Sequence, residues 1–384
     1  MKPNVVLISL DTLRADVAYS GKFGSIERLR KTGTAFLNTV SSVPLTPPSH
    51  ATIFTGLQPP EHGIRHLLRE KLDPGVRTLA ELLKDAGYAT GAVVSCPGMN
   101  SWYALGRGFD FYDDEIPPLA DGRNALEVVD VKLRGTALKR APIVTERALR
   151  WVRESAPEPF FLFAHYFDAH WPYEAPERFC TTAKNAYEAE VAFADHYAGR
   201  LLDGLDELTE NFRNTIVILL SDHGEDLAGW YPNDHAGSQG HPEEEGHGCL
   251  LFDATQLVPL IMSFPQRIDR GREIHTQVRL ADVMPTILDL LELPLPPVSG
   301  QSLLPIIDNR DHSHRPAYFE TFFREELAQK NPEFADLKPL RGVRIENKYK
   351  IVWEEGSDSV QVYDLTADPC ERAPLEILRR QKDH

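Results

Sequence analysis

Two carboxylates and a histidine stand directly after apolar runs in this chain. Asp11 closes "NVVLISLD", and Asp222 with His223 follows "TIVILL" in "SDHG". Adjacent strand residues point to opposite faces, so Asp222 and His223 reach one ion only through the turn that Gly224 permits. With Asp11 they make an oxygen, oxygen and nitrogen set suited to Mn, Zn, Fe or Mg, with Ca a further choice. Taken alone, Asp11 reads equally well as a turn former or helix cap.

Thr46 lies in "LTPPSHATIFTG". Pro47 suits the first turn of a helix, which places Thr46 at the cap, where free backbone N–H groups attract anions. Two readings stay open: a simple helix cap, or a metal-bound hydroxyl that loses its proton and becomes a nucleophile. His170, His235, His241 and His247 complete the polar set, since imidazoles beside a transferring anion steady its oxygens or move protons. His247, between glycines in "EEEGHG", suits a pocket best. His235 and His241, in "NDHAGSQGHPEEE", read as surface residues or substrate contacts.

These residues need a scaffold. "NVVLISLD", "PFFLFAHYFDAH" and "NTIVILLSDHGE" read as buried strands ending in Asp11, Asp168 and Asp222, and "LVPLIMSF" as another. Helical stretches such as "TERALRWVRES", "YEAEVAFADHYAGRLLDGLDEL" and "RLADVMPTILDLLEL" alternate with them. The pattern predicts an α/β fold: a large, mainly parallel sheet sandwiched by helices, with ligands at the strand carboxyl ends. After "PLPPVSGQSLLP" the texture shifts to short strands, "VRIENKYKIVWEE" and "SVQVYDL". The expectation is a catalytic domain over 1–310 and a small antiparallel C-terminal subdomain over 311–384. Trp102, Tyr103, Trp171, Tyr173, Trp230 and Tyr231 either line a pocket or anchor loops.

Of the 384 residues, 42% are hydrophobic and 26% charged, an ordinary globular balance. The net charge of -16 and the lack of a Lys/Arg block argue against nucleic acid as a partner. No apolar run reaches membrane-spanning length. Cys96, Cys180, Cys249 and Cys370 are scattered singly, with neither zinc nor disulfide spacing, so a cytoplasmic location is expected. Oligomeric state is not legible.

The ordered blocks resemble the sulfatase family of the alkaline phosphatase superfamily. "NVVLISLDTLRAD" resembles the opening metal strand, and "TPPSHATIFTGLQPPEHGIR" the nucleophile block. "FFLFAHYFDAHWPY", "SDHGE" and "GHGCLLFDATQLVPLI" follow in family order, and "QVYDLTADPCE" resembles the closing motif. The resemblance implies that Asp11, Thr46, Asp222 and His223 hold a divalent metal, Mn, Zn or Ca. It makes Thr46 the nucleophile, with His170 and His247 at the substrate anion or leaving group, and Arg65 orienting the loop or substrate. Two-metal relatives suggest a second set, Asp168, His170 and His247, although the Asp-Ala-His spacing is narrower than theirs. One ion is favoured.

Departures shape the expected chemistry. Thr12 replaces a second aspartate. Thr46 stands where sulfatases carry Cys or Ser matured to formylglycine, and His50 replaces an arginine that would bind substrate. No lysine occurs between Lys184 and Lys330. A threonine ester cannot collapse to an aldehyde, and few fixed cations disfavour a dianion. The expectation is therefore hydrolysis of a small anionic ester, a phosphate diester or phosphonate monoester, through a covalent Thr46 intermediate. The alternatives are a true sulfatase without formylglycine, a phosphotransferase, and a non-catalytic metal-stabilised binding protein.

Overall fold

Strand β1 (Asn4–Leu10) is buried at every position. Val5 and Leu7 face one core while Val6, Ile8 and Leu10 face another. Two-sided burial is why its sequence reads as continuously apolar rather than alternating. The computed structural model describes residues 2–119, 121–128, 138–209, 212–235, 246–330 and 336–379.

The same sheet holds β2 (Thr34–Val40), β3 (Ala89–Val93), β4 (Phe111–Asp113), β5 (Phe160–Tyr166), β6 (Thr215–Leu220), β7 (Leu257–Ser263), β8 (Arg272–Ile274) and β9 (Val278–Arg279). Their order is β4-β3-β5-β1-β6-β7-β2-β8, with β9 beside β2. From β4 through β6 every pairing is parallel. The strand expected from "LVPLIMSF" is β7, and it runs antiparallel to both neighbours.

Helices cover both faces. Gly24–Thr32, Ala141–Ser155 and Ala186–Leu208 pack on the side of Val6 and Ile8. Thr46–Thr55, Leu79–Asp85 and Val283–Leu290 pack on the other. Close approach is sequence-encoded: a Cβ on Gly91 would come within 2.5 Å of the Trp151 ring, so only glycine lets that helix settle on β3.

The C-terminal sheet is β10 (Ala317–Thr321), β11 (Leu340–Ile345), β12 (Tyr349–Glu354), β13 (Ser359–Asp364) and β14 (Glu376–Arg379), antiparallel throughout. A buried charge cluster fastens it to the main domain. Lys350 Nζ lies 2.6 Å from Asp253 and 2.7 Å from Glu371, and Arg344 lies 3.1 Å from Asp253.

Candidate active site

The parallel register places Ser9 opposite both His165 on β5 and Leu220 on β6, so the carboxyl ends of three strands converge. Past β1 the backbone turns sharply, with Thr12 at φ 57. A β-branched residue in the left-handed region is strained, typically by about 1–3 kcal/mol. The surroundings hold it there: Thr12 N–H donates to Asp222 Oδ1 (3.4 Å), and its carbonyl accepts from the Tyr187 hydroxyl (2.8 Å). Past β6, Gly224 is required by contact, since a Cβ would lie 2.1 Å from the Ala254 carbonyl. The need for glycine expected there is real, but its cause is crowding.

The helix Thr46–Thr55 begins at Thr46 itself, with Leu45 in the cap position and no side-chain cap bond. Pro47 and Pro48 bring no N–H to satisfy. The threonine hydroxyl therefore turns inward, donating to Asp11 Oδ2 at 3.2 Å and lying 3.5 Å from His223 Nε2. Ser49 Oγ donates to the Asp222 carbonyl (2.7 Å) and pins the helix to the β6 turn. His223 Nδ1 donates to the Gly224 carbonyl (3.0 Å), leaving the Nε2 lone pair facing the site.

Asp11, Asp222 and His223 each offer a ligand atom within 4.8 Å of the others, all buried. Asp11 Oδ1 and Asp222 Oδ2 have no hydrogen-bond partner. Buried carboxylate oxygens without donors are costly unless a cation meets them. Burial pushes the pKa of both carboxyls up, and each raises or is raised by like charge: Asp11 lifts Asp222. His223 is pushed up despite its burial, by Asp222 and Asp11. The residues present fit a divalent ion, with the Thr46 hydroxyl beside it.

Above them sit two imidazoles. The His247 ring lies 4.3 Å from His223 and 4.9 Å from His170. His247 Nδ1 donates to Glu225 Oε1 (2.9 Å), and His170 Nδ1 to the Trp171 carbonyl (2.6 Å). Each ring therefore presents an Nε2 lone pair, and burial lowers both pKa values, that of His170 to about 4. Glu225 is fully buried, pushed up to about 7 by that burial. Buried Arg14 braces the same loop by donating to the Glu225 carbonyl (2.7 Å) and pairing with Asp234 (2.5 Å).

The family profile described as Sulfatase matches residues 3–293, and that described as N-sulphoglucosamine sulphohydrolase, C-terminal, matches 248–381. The chain belongs to the sulfatase family. It is 25% identical to Arylsulfatase K of Mus musculus over 431 residues, 96% of this chain and 75% of that protein. It is 24% identical to N-acetylgalactosamine-6-O-sulfatase of Bacteroides thetaiotaomicron, covering 97% of this chain and 89% of that one. In fold it is similar to the phosphonate monoester hydrolase of Agrobacterium radiobacter: TM-score 0.76, 19% identity, 97% of this chain and 91% of that one. Membership in this family and the assembled metal cluster make the chain a metal-dependent ester hydrolase. Among the described residues no helix is long and apolar enough to cross a membrane.

Several expected site residues of this sulfatase-family chain stand elsewhere. Asp168 does not join His170 and His247. Its carboxylate pairs with Arg140 (3.1 Å) and accepts from Ala141 N–H (3.2 Å), because a buried carboxylate takes the nearest cation. His50, on the same helix as Thr46, is wholly buried, donating from Nδ1 to the Thr46 carbonyl (2.8 Å) and meeting Ser9 Oγ at 3.0 Å. It props Thr46 rather than facing substrate. Arg65 forms a two-pronged bond to Glu320 (2.7 and 2.5 Å), so it orients its loop against the C-terminal sheet. His235 is buried, stacked on Phe252 and bonded to the Cys370 carbonyl (2.8 Å), an anchor rather than a substrate contact. His241 lies outside the described residues. Sequence reasoning missed His165, whose Nε2 meets Asp11 Oδ2 at 3.0 Å, as well as Glu225 and Arg14. The signal for His165 was present: a histidine inside an otherwise apolar strand.

Proposed function

We propose that the protein hydrolyses a singly charged sulfuric ester, with Thr46 as an unmodified nucleophile. The observation that carries the reading is the Thr46 hydroxyl itself, hydrogen-bonded to Asp11, beside His223, and free of any capping duty. Among the described residues, Lys139 is committed to Asp113 and Arg14 to Asp16 and Asp234. Carboxylates and the imidazoles of His170 and His247, whose pKa values burial lowers, then face the ester, which favours one negative charge over two. A sulfate monoester meets that condition, and the family match supports sulfate.

Asp11, Thr46, Asp222 and His223 would hold the ion. When bound, it lowers the proton affinity of the hydroxyl and draws charge off the ester oxygens. Thr46 Oγ attacks sulfur, and the bond to the leaving oxygen breaks. The proton lost by Thr46 is the one the departing alcohol needs, and His247, with its Nε2 lone pair towards the site, carries it. Water then attacks the sulfur of the Thr46 ester. The S–Oγ bond breaks, one water proton returns to Thr46, and hydrogen sulfate leaves.

A second reading keeps the same machinery for a phosphate diester or phosphonate monoester, also singly charged. It is favoured by the threonine, which has no aldehyde route for expelling sulfate. Turnover of nitrophenyl sulfate, phosphate, a phosphate diester and a phosphonate monoester separates the two. Sulfate is expected to be fastest, with Thr46→Ala slower by at least about 10³-fold and folded as the wild type. Unchanged turnover in Thr46→Ala removes the nucleophile assignment, and a preference for the diester or phosphonate moves the protein to the second reading.

A further inference from the structure

Asp11 has a second set of neighbours that the single-ion reading leaves without a task. Cys96 Sγ and His165 Nε2 lie with an Asp11 oxygen inside 4.8 Å, and all three residues are buried. His165 and Thr46 both meet Asp11 Oδ2, at 3.0 and 3.2 Å, whereas Oδ1 is the oxygen without a partner. The loop "SCPGMN" turns at the cysteine, where Met99 N–H donates to the Cys96 carbonyl (3.1 Å). Gly98 also brings the sulfur beside the nucleophile: a Cβ there would lie 3.5 Å from Cys96 Sγ and 3.7 Å from Thr46 Cβ.

We propose that Asp11 bridges two metal ions, and that Asp11, Cys96 and His165 hold the second, a thiolate-binding ion such as Zn²⁺. A buried S–H beside a buried carboxylate is a weak contact, whereas an ion that replaces the thiol proton pairs both groups. Thiolate with imidazole selects zinc or cobalt over calcium and magnesium, while the oxygen-rich set of Asp11, Asp222, Thr46 and His223 suits manganese or calcium. As the second ion enters, one proton leaves Cys96 for solvent. His165 Nδ1 lies 3.2 Å from Ser95 Oγ, which fixes the ring so that Nε2 faces the site. The site differs from the Asp168, His170 and His247 set expected from two-metal relatives, whose carboxylate is spent on Arg140.

The test counts ions without substrate, so its failure leaves ester hydrolysis untouched. The full chain, carrying Cys180→Ser to remove the exposed thiol, is stripped with chelator and titrated with Co²⁺. Bound metal is counted by mass spectrometry and thiolate-to-cobalt charge transfer is followed in the near ultraviolet. Two equivalents and the band are expected. Cys96→Ser should hold one equivalent without the band, His165→Gln should bind the second ion at least about tenfold more weakly, and Asp222→Asn should keep the band. A single equivalent in the parent, or a band that survives Cys96→Ser, overturns the proposal. Should Cys96→Ser not fold, X-ray absorption of the zinc-loaded parent decides: a sulfur at about 2.3 Å supports the site, and a shell of nitrogen and oxygen alone overturns it.

Discussion

Two of the buried charge clusters among the described residues are built in opposite ways. At the C-terminal sheet, Asp253 and Glu371 meet Lys350, and Asp253 meets Arg344. At the active site, Asp11 and Asp222 pair with imidazoles and with no lysine or arginine among the described residues, and one oxygen of each lacks a hydrogen-bond donor. The consequence shows in their acidities. Asp253 is held below the usual carboxylate range, despite burial, by Arg344 and Lys350, whereas burial raises Asp11 and Asp222; Glu371, which shares Lys350 with Asp253, is itself pushed up to about 7 by burial. A cluster that brings its own cations is a fastening. One that lacks them is a receptor for a cation from outside.

Breaking the fastening should have the largest effect. Lys350→Met leaves two buried carboxylates short of a partner and should cost about 3–5 kcal/mol in urea unfolding, since removing one side of a buried pair strands the other. The receptor should respond next. A divalent ion at about a hundred to a thousand times its Kd should stabilise the wild type by about 3–4 kcal/mol in a thermal melt. Asp222→Asn should reverse the sign of the contrast, raising metal-free stability by removing like-charge repulsion while abolishing most of the ion's benefit. If Asp222→Asn destabilises the metal-free protein as strongly as Lys350→Met, the distinction between the clusters fails.

Smaller effects refine the picture. Glu225→Gln should slow alkyl esters about 10–100-fold through a misheld His247, and nitrophenyl esters less, because good leaving groups need little proton assistance. Equal losses for both would mark Glu225 as structural only. Smallest is a pH effect at Glu190, which burial pushes from 4.5 up to about 7 despite its pairing with Arg140. The folded state then holds its proton where the unfolded chain has lost it. Its stabilising contribution is complete below about pH 4.5 and declines as pH rises towards 7. Glu190→Gln should flatten that slope in melts between those limits.

The parts legible in sequence were those where one dimension carries the signal. Asp11, Asp222 and His223 follow apolar runs, and a strand end is recognisable from neighbours alone. Thr46 was marked by its prolines. His165 stands out as the polar residue in the apolar run "FFLFAHYF", but its role depends on register with β1, which the run alone does not give. Cys96 has no cysteine near it in sequence, so spacing rules pass over it; only the fold brings it to Asp11. His235 and His50 failed in the opposite direction. Polar residue type suggested a surface or substrate contact, and the fold uses both as buried props.

The bonds between the C-terminal segment and the catalytic loops also govern when the enzyme can first work. Glu320 takes Arg65, Lys350 and Glu371 take the turn at Asp253, and the Cys370 carbonyl takes His235. Those partners are translated long after Asp11 and Thr46 have left the ribosome. The earlier strands can pair as they emerge, but the loops around the site wait for their braces. Activity should therefore switch on only after Glu371 has emerged, and a chain cut short before it would carry an unfinished site.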